Sequence, residues 1–112
     1  MTPEGFDAAA RALPGVTMDV QWGDDRVYKV GGKMFAVLGP EGSFSFKASD
    51  IAFEVLTEGG PGKPAPYLAR AKWVWFGKLD ALAADELKDY LAAAHGLIAA
   101  KLTRKQRAEL GL

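Results

Sequence analysis

Between Val27 and Leu38 the chain reads VYKVGGKMFAVL, two runs of strand-forming residues separated by two glycines. Two-residue hairpin turns often need positive φ at both central positions, which glycine supplies without steric penalty. The spacing therefore predicts a β-hairpin turning at Gly31-Gly32, and the register follows from the turn. Val30 is expected opposite Lys33, Tyr28 opposite Phe35 and Arg26 opposite Val37 on one side of the ribbon. Lys29 is expected opposite Met34, and Val27 opposite Ala36, on the other side. Apolar residues fall on both faces, as in a hairpin placed centrally in a sheet.

Upstream, TMDVQW predicts another strand, turned by Gly23-Asp24-Asp25. Downstream, SFSFK alternates, with Phe44 and Phe46 on one face and Ser43, Ser45 and Lys47 on the other, which marks a half-buried strand. AKWVWFGKL predicts a further strand, with Trp73 and Trp75 on one face and Val74 and Phe76 on the other. The preceding PGKPAPY is too rich in proline and glycine for a central strand.

Three segments switch to helical spacing. Pro3 suits a first turn, and Phe6, Ala9, Ala10 and Leu13 follow at helical intervals until Pro14-Gly15 ends the pattern. Ser49 is placed as an N-cap, with Asp50 in the first turn of a helix of about eight residues. Its apolar stripe is read as Ile51, Ala52, Val55 and Leu56, and Gly59-Gly60 stops it. The last segment, ADELKDYLAAAHGLIAAKL, keeps a stripe from Leu87 through Tyr90, Leu91, Ala94 and Ile98 to Lys101 and Leu102, about five turns. Asp85 and Glu86 open it and Lys101 and Arg104 close it, complementing the helix dipole. The predicted order is helix, three or four strands, helix, one or two strands, helix. A two-layer α+β sandwich, with helices packed on an antiparallel sheet, fits that order.

At 112 residues the chain is expected to form one domain, 1–112. Without cysteine there is no disulfide framework and no cysteine-ligated zinc. The N-terminus lacks a basic start followed by an apolar run, and no apolar segment approaches the ~20 residues that span a bilayer. A cytoplasmic protein that does not enter membranes is the expectation. Net charge is zero, which argues against a strongly basic nucleic-acid binder, but the charges come in blocks. Residues 26–78 carry eight bases against four acids, and residues 101–112 carry four bases (Lys101, Arg104, Lys105, Arg107) against Glu109. Acids dominate residues 1–25 and 79–100. Folding can turn such blocks into one basic and one acidic face.

The candidate chemistry is sparse. Gly31-Gly32-Lys33 resembles the end of a phosphate loop, but Met34 follows the lysine and a strand comes next, so no helix N-terminus would face a phosphate. His95, the only histidine, has no Ser, Cys or second His near it in sequence and is read as packed and hydrogen-bonded. Asp24 and Asp25 belong to a turn, and Asp85, Glu86 and Asp89 to a solvated helix face. No catalytic constellation, metal site or cofactor site emerges. Trp22, Tyr28, Phe35, Phe44, Phe46, Trp73 and Trp75 fit either a core or a stacking surface for bases, and most are assigned to the core. Trp75 is the one expected to be partly exposed, because alternation cannot bury both faces of its strand under one helical layer. Lys29, Lys33, Lys47, Arg70, Lys72, Lys101, Arg104, Lys105 and Arg107 fit either phosphate contacts or an ordinary mixed-charge surface.

Several blocks occur together in order: PGV at 14–16, QWGDDRVYKVGGKMFAVL, SFKAS, PAPYLARAKWV and AAAHGLIAAKLTRKQRAELGL. With Trp22, Gly31, Gly32, Pro66, Tyr67 and Trp73 as signature positions, this pattern resembles the MmcQ/YjbR family of small bacterial proteins along nearly the whole chain. The resemblance implies an α+β fold with an antiparallel sheet, like that of type III secretion chaperones. It also implies a DNA-binding role through a double-wing arrangement of strands, a label that rests on fold analogy, and with no catalytic constellation a non-enzymatic module is expected. Two departures stand out: Ala83 replaces a helix-capping Ser, and Thr103-Arg104-Lys105-Gln106-Arg107 keeps the positive charge of the family's terminus without its proline. An alternative is a protein- or small-molecule-binding adaptor that uses the uncovered sheet face, with its partner and oligomeric state left open.

Overall fold

A computed structural model describes residues 1–112. It contains α1 (Pro3–Arg11), β1 (Val16–Gln21), β2 (Asp25–Val30), β3 (Lys33–Leu38), β4 (Phe44–Lys47) and α2 (Asp50–Thr57). There follow β5 (Lys63–Pro64), a 3-10 turn (Ala69–Ala71), β6 (Trp73–Phe76), α3 (Ala84–Ala99) and α4 (Arg104–Glu109). The six strands form one antiparallel sheet in the order β1-β2-β3-β4-β6-β5. The α+β class is thus as the patterning predicts. The proline-rich β5 takes the sheet edge, where a missing backbone donor leaves no ladder gap.

Phe6, Tyr28, Val30, Phe35, Phe44 and Phe46 meet Leu87, Leu91 and Ile98 of α3 in a continuous core between sheet and helices. Its centre is aromatic: the Phe44 and Phe76 rings stack at 4.7 Å, and Phe46 stacks on Tyr90 of α3 at 5.4 Å. Such pairs add to the area term that drives burial. His95 packs edge-on against Phe35 and donates from Nε2 to the Pro14 carbonyl at 2.7 Å, so its one polar contact ties α3 to the α1–β1 junction. It is buried and hydrogen-bonded, as read from the sequence.

The hairpin turns where expected, with Gly31 and Gly32 at φ 60° and 78°. Val30 does face Lys33, and Lys29 does face Met34, but the register then slips by one between Tyr28 and Lys29. A bulge at Phe35 pairs Tyr28 with Ala36, Val27 with Val37 and Arg26 with Leu38. The expected Tyr28–Phe35, Val27–Ala36 and Arg26–Val37 pairs are therefore corrected. The bulge puts both Phe35 and Ala36 toward the helices, and Val37 moves to the open face.

Two helical readings also change. The Ser49 hydroxyl accepts from the Ala52 amide and caps α2, and the helix has the expected length, but its buried side is Ala52, Phe53 and Leu56. Ile51 and Val55 face solvent. The last helix does not run on through Arg104. α3 ends at Ala99, Leu102 tucks into the core, and α4 restarts from a capping box in which Thr103 and Gln106 bond each other's backbone amides. That Thr-x-x-Gln signal stands in the sequence and outcompetes a continuous helix because it satisfies two terminal donors at once.

Candidate functional site

The strand directions decide where the charges go. The Gly31-Gly32 turn, the end of β4 at Lys47 and the start of β6 at Trp73 lie at one end of the sheet. α3 finishes at the same end, because a Cβ placed on Gly31 would lie 2.7 Å from the Leu102 side chain. α4 follows it there: Leu110 contacts Gly15, just before β1, whose Val16 pairs with Val30. Each basic position singled out by sequence therefore sits on this end. Arg104, Lys105 and Arg107 are on α4 below β1, Lys29 and Lys33 flank the hairpin turn, Lys47 closes β4, Arg70 and Lys72 precede β6, and Lys101 joins α3 to α4. The opposite end receives Asp24 and Asp25 at the β1–β2 turn, Glu41 between β3 and β4, Asp80 after β6, and Asp85 and Glu86 at the start of α3. Arg26 and Lys78 also lie at that end, and Asp50 and Glu109 at the basic one, so the basic end carries an excess of cations and not cations alone.

Within the basic end the lysines are not equivalent. Lys29 is held by Asp19 across β1 and β2, with Nζ to Oδ2 at 3.2 Å. Lys47 donates to the Ala71 carbonyl. Partial burial, then repulsion from Lys101 and Lys72, holds its pKa below the ordinary lysine value, with Asp50 opposing. Lys72 sits at a left-handed backbone position, φ 62°, with Nζ 5.0 Å from the centre of the Phe53 ring. Lys72 and Lys101 thus both lie close enough to Lys47 to repel it. Lys33, Arg70, Arg104, Lys105 and Arg107 are exposed and make no ion pair.

The second sheet face is open on a different scale. A groove of about 540 Å³ runs between the sheet and the Ala65–Leu68 segment, lined by Trp22, Met34, Val37, Pro66, Tyr67 and Trp75 among others. Trp75 is partly exposed, as expected, whereas Trp22 is 65% exposed and leaves the core to which the sequence reading assigned most aromatics. Trp73 is buried on the same face, beneath the segment that carries Ala65, and Tyr28, Phe35, Phe44 and Phe46 are core residues. Of the signature positions, Gly31 and Gly32 make the turn, Trp73 packs, and Trp22, Pro66 and Tyr67 line the groove. Groups of three His, Cys, Asp or Glu residues with the spacing of a metal site do not occur. No helix is long and apolar enough to cross a membrane.

One further polar contact fixes the fold beside the site. Tyr28 is wholly buried and donates to Asp7 Oδ1 at 2.8 Å, and Arg11 Nε donates to the same oxygen at 3.0 Å. Burial, reinforced by the Asp7 contact, raises the Tyr28 phenol well above its ordinary value. Burial alone would raise Asp7, but the Tyr28 and Arg11 hydrogen bonds and the Arg11 and Arg26 charges bring it below the usual carboxylate range.

The chain is similar to the crystal structure of Deinococcus radiodurans protein DR2400, described by the domain DUF419, with 26% identity and a TM-score of 0.86 over 99% of this chain and 88% of that one. No curated protein matches. A family model described as YjbR matches residues 11–97, from the end of α1 to the last turn of α3. With most of its length inside that match, the chain belongs to the YjbR family.

Proposed function

We propose that this protein is a non-enzymatic module that binds double-stranded DNA through phosphate contacts made by its basic end. The observation that carries this reading is the sorting of charge by the fold: α4, the hairpin turn, β4 and the Arg70–Lys72 segment bring their bases to one rim. From β1 to β6 that rim crosses four strand spacings, about 19 Å at roughly 4.8 Å each. The major groove of DNA is about 12 Å wide, so the rim can reach phosphates on both sides of it. Repulsion of Lys47 by Lys101 and Lys72, which Asp50 offsets only in part, favours the same ligand, because a polyanion relieves it. Contacts of this kind position a protein on a duplex without reading bases.

Fluorescence anisotropy with a labelled duplex tests the reading. Four phosphates engaged at once give a log affinity against log salt slope of about −3.6, and each base reversed removes about one charge from that slope. Arg70→Glu and Arg104→Glu, at opposite ends of the rim, are expected to weaken binding together more than either alone. Absence of binding at low salt, or binding with a flat salt dependence, contradicts the phosphate-contact mechanism.

A further inference from the structure

The open sheet face holds two cavities that share four residues, Asp25, Val37, Ser45 and Trp75. The larger is the apolar groove of about 540 Å³, within the range of small-molecule sites. The smaller, of about 110 Å³, is a polar recess lined by Asp25, Gly39, Ser43 and Ser45, with Trp75 at its mouth. The two differ in what they can hold. The groove presents rings and aliphatic surface. The recess presents a carboxylate and two hydroxyls, and Gly39 leaves its floor open: a Cβ there would stand 2.6 Å from Ser43 Oγ and 3.6 Å from Asp25 Oδ1.

Asp25 is available to a ligand. No basic residue lines either cavity, and no lysine or arginine pairs with Asp25. The adjacent Arg26 acts instead on Asp7 and Tyr28 across the sheet, on the helix side. The recess is therefore acidic and the groove beside it aromatic, which favours an organic cation even with Lys63 across the edge strand from Trp75: a carboxylate pairs with it and an indole face attracts it. The same acidity disfavours a stacked nucleotide strand, whose phosphates would meet Asp25 with no cation to hold them.

A second observation points to the groove as a built feature. Trp22 and Tyr67 take left-handed backbone conformations, φ 51° and 65°, that glycine or asparagine occupies without strain. Their rings gain nothing from the core, since Trp22 is largely exposed and Tyr67 fully so. Both strained positions turn a large ring toward the same groove.

We propose that the adjoining cavities bind a small primary amine with an apolar body, its ammonium in the Asp25–Ser43–Ser45 recess and its body against Trp22, Tyr67 and Trp75. A primary ammonium offers three donors, which match the carboxylate and hydroxyl acceptors of the recess. The Asp25–Ser43 recess lies at the opposite end of the sheet from the basic rim, so loss of DNA binding leaves it standing.

Titration with 2-phenylethylammonium at pH 7, read by tryptophan fluorescence and calorimetry, tests the site, with neutral 2-phenylethanol and anionic 3-phenylpropanoate as comparators. Two of the three tryptophans line the groove, so its filling is visible directly. Saturable binding is expected, with the amine about fivefold tighter than the alcohol and the carboxylate weakest. Asp25→Asn is expected to erase the preference for amine over alcohol while the alcohol still binds. Gly39→Ala, which fills the recess, gives the same signature, and Trp22→Gly weakens all three probes while the fold melts normally. Equal binding of amine and alcohol, a preference unchanged in both Asp25→Asn and Gly39→Ala, or no saturable binding of any probe overturns the assignment. So does sedimentation showing that a second copy of the chain covers the groove.

Discussion

Substituting Gly31 by Ala probes the contact that brings the hairpin lysine and the C-terminal bases to one end. Two separate effects follow. At φ 60° a side chain costs about 1 kcal/mol in the left-handed region. The new Cβ would also stand 2.7 Å from both Leu102 methyls, closer than atoms can approach, and Leu102 is almost wholly buried. Expelling that side chain forfeits roughly 2 kcal/mol of burial. The expected loss is about 3 kcal/mol in all. Gly32→Ala is the internal control: its φ of 78° carries a similar backbone penalty, but nothing lies within 4 Å of its Cβ. It should cost about 1 kcal/mol. In a Leu102→Ala background, where the clash is gone, Gly31→Ala should fall to the cost of Gly32→Ala, a coupling of about 2 kcal/mol between the two sites. Urea melts of the four single and double variants measure all of these values on one scale. Equal losses for Gly31→Ala and Gly32→Ala in the parent protein refute the seating of the hairpin on the α3–α4 junction.

Other outcomes follow from the same packing. Tyr28→Phe removes the hydrogen bond to Asp7 and is expected to cost about 1–2 kcal/mol near neutral pH. Because the folded Asp7 carboxyl titrates below its ordinary 3.8, its contribution is full above that pH and is lost as pH falls through the lower folded value. The gap between parent and variant should therefore narrow in acid, and a gap independent of pH from 7 to 2 would count against the pair. Ala83 caps α3 with extended backbone and no side-chain acceptor, so Ala83→Ser should raise stability by about 0.5–1 kcal/mol in thermal melts. Trp22→Ala should alter stability by less than about 1 kcal/mol, whereas Trp73→Ala, at a position 3% exposed, should cost about 3–5 kcal/mol.

How much of this was readable beforehand depended on whether the local signal and the tertiary context agreed. Gly31-Gly32, Ser49 and Pro3 set backbone geometry through their own chemistry, and the hairpin turn, α2 and α1 fell where those residues said. The Phe35 bulge had no such marker. Met34 to Leu38 is apolar throughout, so nothing in its pattern opposed the single register that the turn implied, and the slip came from packing against the helices. Ile51 and Val55 misled for the opposite reason: their spacing is helical, yet the face buried by β5 and β6 is the neighbouring one, carrying Phe53. The break before α4 was written in Thr103 and Gln106 and was masked by the stripe that continues to Leu102.

The candidate sites divided along the same line. Runs of like charge were visible along the chain, but their meeting at one rim required strand order and direction, which no local pattern encodes. The Ser43–Ser45 alternation marked an open face, with Trp22 read at a strand end and Asp25 in the turn after it; that they share a groove with Tyr67 came only from the closed sheet.

The central proposal, that the basic rim contacts DNA, is tested most directly by backbone amide shifts of labelled protein titrated with a short duplex at low salt. The account predicts shifts at Gly31–Lys33, Lys47, Arg70–Lys72 and Lys101–Arg107 that reverse as salt is added. Shifts centred on the acidic end, around Asp24, Glu41 and Asp85, or no shifts at any salt concentration, would contradict it.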